Sequence, residues 1–120
     1  MKYVNAVFCL VMLLFAAVQY NDPDPYFWIP IYLIPALWAA VAAYRPQALR
    51  GRLPSLGLAA SLALAVAGTI YLWPQDQGWW RQEVWWKSET AREGMGVMIM
   101  TVSLLVVSLT WILAGRRAAR

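Results

Sequence analysis

The run MGVMIMTVSLLVVSLTWILA, residues 95–114, holds twenty residues and no charged side chain. About 20 apolar residues in a helix cross the ~30 Å hydrocarbon layer of a bilayer. Three other runs have the same character: residues 3–20, 26–44 and 55–73, none with a charged side chain. In lipid every backbone N–H and C=O must pair within its own segment, so each run reads as a helix. Barrel strands would be about half as long and would alternate in polarity. The fold class is therefore all-α, a four-transmembrane-helix bundle. Short connections after the first two spans predict up-down-up-down order. The chain, residues 1–120, reads as a single transmembrane domain, and its first run reads as a retained span rather than a cleaved leader.

Composition supports the same reading and narrows the chemistry. Of 120 residues, 62% are hydrophobic and 13% charged, against about 25% charged in soluble domains. So much apolar surface cannot all be buried in a short chain. There is no histidine and one cysteine, Cys9. Internal disulfides, Cys/His zinc sites and histidine acid–base catalysis are thereby excluded. Cys9 lies in an apolar run and reads as a small hydrophobe.

Charge placement gives orientation. Lys2, Arg45, Arg50, Arg52, Arg116, Arg117 and Arg120 fall on one side of the four spans, with no acid among them. The opposite loops, 21–25 and 74–94, hold Arg81, Lys87 and Arg92 with all six acids: Asp22, Asp24, Asp76, Glu83, Glu89 and Glu93. The positive-inside rule puts the termini in the cytoplasm and the acidic loops on the outer side of the cell membrane. The net charge of +4 is then a topology signal, and no nucleic-acid partner is implied.

Four groups of residues stand out. Gly57, Ser61, Ala65 and Thr69 recur every fourth position in the third span, a small-residue face suited to helix packing. Trp28, Trp79, Trp80, Trp85 and Trp86 read as interfacial aromatics, with residues 79–93 as a short helix at headgroup level between the third and fourth spans. Asn21, Asp22 and Asp24 form a turn, in which Asp24 is placed to N-cap the second span with Pro25 at its first position. Glu89 and Glu93 lie one turn apart and repel unless a cation or proton intervenes. Arg92 is expected to supply that cation or to pair with Asp22. Both polar groups lie on one side of the membrane, so they are expected to meet and form a polar outer-face cluster.

The run Gln19-Tyr20-Asn21-Asp22-Pro23-Asp24-Pro25, followed by Trp28, Tyr32 and Pro35, resembles the signature of the transmembrane protein 220 family. Residues 89–99, with Arg92-Glu93 leading into Gly96-Val97-Met98-Ile99, are similar to that family's second short motif. The resemblance implies a four-helix membrane protein with Asn21, Asp22, Asp24, Glu89, Arg92 and Glu93 as marked positions. It implies no reaction.

No nucleophile stands beside a base, so no catalytic residue is assigned and no cofactor or resident metal is expected. The spans hold no ionisable residue of the kind that small proton-coupled transporters need. The expected function is a non-catalytic accessory or structural subunit of a larger membrane protein complex, docking on a membrane-protein partner or on copies of itself. The alternative is an outward-facing site for a cation or lipid headgroup, formed by Asp22, Asp24, Glu89, Arg92 and Glu93.

Overall fold

A computed structural model describes residues 1–119, and Arg120 lies outside the described residues. Five α-helices follow in order: α1 Lys2–Val18, α2 Pro25–Tyr44, α3 Arg52–Tyr71, α4 Gln82–Trp85 and α5 Glu89–Ala119. Short 3₁₀ turns at Gln19–Asn21 and Pro46–Arg50 join α1 to α2 and α2 to α3. No strand occurs among the described residues. The helices α1 (with its 3₁₀ turn), α2, α3 and α5 are each long and apolar enough to span a membrane. The bundle is 50 Å long and about 25 Å across, enough to cross the ~30 Å hydrocarbon layer and extend into both interfaces.

Outward-facing residues such as Leu10, Leu14, Leu37, Leu64 and Ile70 stay largely exposed, as lipid-facing helix surfaces should. The core is small and set by close contacts: Met12, Ala16, Tyr32, Ala36, Ala39, Leu104 and Val107 are nearly or fully buried. The most extensive pairing is α1 with α2, whereas α3 packs chiefly on α5 and meets α2 sparingly.

The small-residue face of α3 divides between two neighbours. Trp38 lies over Gly57, and its Nε1 donates to Ser61 Oγ at 3.0 Å, which ties α3 to α2. Farther along, the Thr69 and Thr101 hydroxyls bond at 2.8 Å, and Thr101 Oγ1 also donates to the Ala65 carbonyl at 3.1 Å, which ties α3 to α5. Toward the basic end, Asn5 Nδ2 donates to Thr110 Oγ1 at 2.8 Å between α1 and α5, both residues being buried. Arg50 stacks over Trp111 at 3.9 Å, and Trp111 Nε1 donates to Ser55 Oγ at 2.8 Å.

Two glycines let α5 approach its neighbours closely. A Cβ at Gly94 would lie 2.5 Å from the Leu72 carbonyl oxygen and 2.6 Å from Pro74 Cγ. A Cβ at Gly96 would collide with the Tyr32 hydroxyl of α2. These two positions seat the start of α5 against the end of α3 and against the N-terminal half of α2.

The segment before α5 departs from the expected interfacial helix. Only Gln82–Trp85 is α-helical, and turns flank it. Gly78 at φ 70° enters the left-handed region and reverses the chain before α4. Ser88 then starts a new helix, accepting the Ala91 N–H on its Oγ at 3.2 Å, so the helical pattern of residues 79–93 is cut in two.

The glycine contacts lead to a test. Gly94→Ala should lower stability by about 1–3 kcal/mol, the usual cost of overpacking. Gly68→Ala should be near neutral, because its added Cβ would meet Val97 at 3.5 Å, an ordinary contact. Thermal unfolding of both variants in one detergent checks this, and equal behaviour of the two would rule out the close approach of α5.

Candidate functional site at the acidic end

The turn between α1 and α2 is built by Asp22. Its backbone N–H donates to the Gln19 carbonyl at 2.9 Å and closes the 3₁₀ turn. Its Oδ1 accepts the Asp24 N–H at 2.8 Å, the side-chain turn that aspartate favours. Asp24 occupies the N-cap of α2, and its carbonyl accepts from Phe27 and Trp28, both at 3.1 Å. Contrary to expectation, its carboxylate makes no capping bond. The backbone at φ −122° and ψ 58° is not the extended N-cap geometry that turns a side chain over the first amides.

The start of α5 is held by a clamp that sequence reasoning missed. Ser88 Oγ donates to Asp76 Oδ2 at 3.0 Å, and Thr90 Oγ1 donates to Asp76 Oδ1 at 3.1 Å. Asp76 thus fastens the long loop to the helix N-terminus. The only hint was the hydroxyl pair around Glu89, with an acid twelve residues before Ser88.

These two local structures bring three carboxylates together. Asp22, Glu89 and Glu93 each offer an oxygen within 4.8 Å of the others. They lie around a cavity of about 350 Å³, whose walls also include Asn21, Trp28, Tyr32 and Arg92. Asp24 is exposed and does not line it.

Arg92 is anchored on backbone carbonyls rather than on a carboxylate, although its charge still acts on Glu93. Its Nη1 donates to the carbonyls of Trp85 and Trp86, at 3.0 and 2.8 Å. Those carbonyls end α4, where orphan acceptors need donors. The guanidinium therefore holds the loop against α5 while it also walls the cavity.

Partial burial holds the Glu93 carboxyl above its ordinary range, and the nearby charges of Glu89 and Asp22 push the same way. A hydrogen bond shared with Glu89 adds to the rise, and Arg92 opposes it. Glu93 precedes the charge-free run that begins at Met95, so it faces the interface rather than lipid.

The aromatic wall was only partly legible. Trp80 and Trp86 are exposed, and Trp79 and Trp85 half-buried, which suits an interfacial layer. Trp28, grouped with them by sequence, is 6% exposed and stacks on Tyr32 with ring centroids 5.9 Å apart. Tyr32 is 3% exposed and meets Phe15 of α1 edge-on at 5.5 Å. Their i,i+4 spacing just after the aspartate turn is the signal that could have found this wall.

The site therefore presents carboxylate acceptors opposite a phenol, an indole and a guanidinium. That set is fit to hold a charged ligand. No curated protein and no solved structure matches the chain. The family model described as "Transmembrane family 220, helix" matches residues 11–109. That span takes in the aspartate turn, the three carboxylates, all of α2 and α3, most of α5 and about half of α1, and so the chain belongs to transmembrane family 220.

Proposed function

We propose that this small membrane protein is a non-catalytic receptor for a positively charged group at the acidic end of its bundle. The observation that carries this is the meeting of Asp22, Glu89 and Glu93 within 4.8 Å around an open cavity. Three carboxylates so close repel unless a proton or cation joins them. A hard metal ion or an organic ammonium group would supply that charge. In this reading the helices alternate up and down across the cell membrane, the termini lie in the cytoplasm, and the cavity faces outward.

A second reading, the accessory subunit of a membrane complex, is favoured by a different surface. An apolar cavity of about 460 Å³ opens between α2, α3 and α5, lined by Phe27, Ile31, Ile34, Leu64, Tyr71 and Leu104 among others. It lies where α3 meets α2 sparingly. A helix of a membrane-protein partner, or of a second copy, would fill it by packing in lipid.

Three outcomes are expected. Cysteines placed at Asp22 and Glu83 in a Cys9→Ser background should react with an impermeant thiol reagent from outside intact cells, and one at Arg116 should not; labelling of Arg116→Cys alone would reverse the orientation. Calcium chloride or ethanolammonium chloride should raise the thermal midpoint of the purified protein, and Glu93→Gln should remove most of that rise; no response to any cation would refute the receptor reading. Without added cation, pH should act through Glu93. Its carboxyl titrates above the ordinary range when folded, so its contribution is fully present below the unfolded pKa and is lost as pH rises through the folded one. The midpoint should thus fall with rising pH in wild type, and Glu93→Gln should flatten this fall.

A further inference from the structure

Resting on the cation-receptor reading, the geometry points to a more specific ligand: a phospholipid with a primary ammonium headgroup, entering sideways from the bilayer. The ammonium sits among Asp22, Glu89 and Glu93, the phosphate meets Arg92 and Tyr32, and an acyl chain lies in the adjoining apolar groove.

Two observations independent of the acidic cluster support this. The first concerns donors. Among the described residues, neither the Tyr32 hydroxyl nor the Trp28 indole N–H has a protein hydrogen-bond partner, although these side chains are 3% and 6% exposed. The sealed, unpaired side-chain atoms are Asn5 Oδ1 and Ser103 Oγ, both elsewhere. The Tyr32 and Trp28 donors are therefore not sealed, and both residues line the cavity. Donors open to a cavity take their acceptors from water or from a ligand that displaces it, and a metal ion provides none. Arg92 repels any bare cation, metal or ammonium, and so favours a ligand that also carries an anionic group. A zwitterionic headgroup satisfies both halves of the wall, its cation on the carboxylates and its phosphate on the donors.

The second observation is a neighbouring space. A largely apolar groove of about 360 Å³, lined by Phe15, Met95, Gly96 and Ile99, shares Val18, Gln19, Tyr32 and Arg92 with the polar cavity. Phe15, Met95 and Ile99 belong to spans that face lipid. The polar cavity alone, at about 350 Å³, is far larger than a bare ion requires and falls at the low end of small-molecule pockets. Polar cavity and apolar groove meeting at Tyr32 and Arg92 match the two ends of an amphiphile. A primary ammonium carries three N–H donors for three carboxylates, whereas a quaternary ammonium carries none.

The test uses the full chain in mild detergent, with thermal midpoint as the readout. The probes are dioctanoyl-phosphatidylethanolamine, dioctanoyl-phosphatidylcholine, dioctanoyl-phosphatidylglycerol and ethanolammonium chloride. The ethanolamine lipid should act at about tenfold lower concentration than the choline lipid, the factor that a charge-assisted hydrogen bond supplies. The glycerol lipid should have no effect. Glu93→Gln should abolish the lipid response. Ile99→Trp, which fills the groove, should weaken the lipid response but keep the full ethanolammonium response, which also shows that the variant is folded. Equal responses to all three lipids, or a lipid response untouched by Ile99→Trp, would overturn the lipid assignment. A response to ethanolammonium alone would overturn it too, while leaving the cation receptor intact. No response to any probe would sink both.

Discussion

The approach of α5 to its neighbours through Gly94 and Gly96 is the constraint on which the acidic end depends. A side chain at Gly94 would strike the Leu72 carbonyl and Pro74, and one at Gly96 would strike Tyr32. Pushing α5 away at either point would move Glu93 and Glu89, which lie about one and two turns upstream of Gly96 on the same helix. Asp22 sits on a different segment, held by its own turn. The three carboxylates meet only because helix packing, not local sequence, closes the distance between those segments. Packing inside lipid has no hydrophobic driving force between helices and relies on such small-residue contacts.

The polar side chains within the spans serve the same packing. Asn5 with Thr110, Thr69 with Thr101, and Trp38 with Ser61 each join two helices by one bond. In hydrocarbon such groups gain when they find each other, by about 0.6 kcal/mol on average where measured. Each bond contributes little, but together they set the register of helix against helix. Arg50 over Trp111, with Ser55 below, performs this task at the basic end, where Gly115 leaves room for the guanidinium. The acidic end is different in kind, because Arg92 stands against three carboxylates in its cavity wall and, among the described residues, the indole and phenol donors gain no protein acceptor.

Much of this fold was legible from hydropathy alone. The four charge-free runs fall inside α1 with its 3₁₀ turn, α2, α3 and α5, apart from Leu72 and Trp73 beyond the end of α3. The start of α5 was not legible, because its first turn is polar and belongs to the interface rather than the hydrocarbon. The loop helix was overextended, since the 79–93 pattern is helical in period but opens in the turn that Gly78 begins and is broken before Glu89, where Ser88 caps α5. Of the site, the shared side of Asp22, Glu89 and Glu93 followed from counting spans. The task of Arg92 did not, because a guanidinium serves carbonyls as readily as carboxylates and sequence spacing favours neither. Trp28 was misplaced for a related reason: a tryptophan near a span end suits an interface, and only packing reveals that this ring turns inward.

The meeting of the aspartate turn with the start of α5 is tested most directly by cross-linking. With Cys9 replaced by serine, cysteines at Asp22 and Glu93 should be bridged rapidly by a short bifunctional thiol reagent in native membranes. A pair at Asp24 and Glu83 should react far more slowly. Efficient bridging of the first pair within one chain is the result predicted here. Its failure, with both cysteines accessible to single-site labelling, would show that the carboxylates never share a cavity.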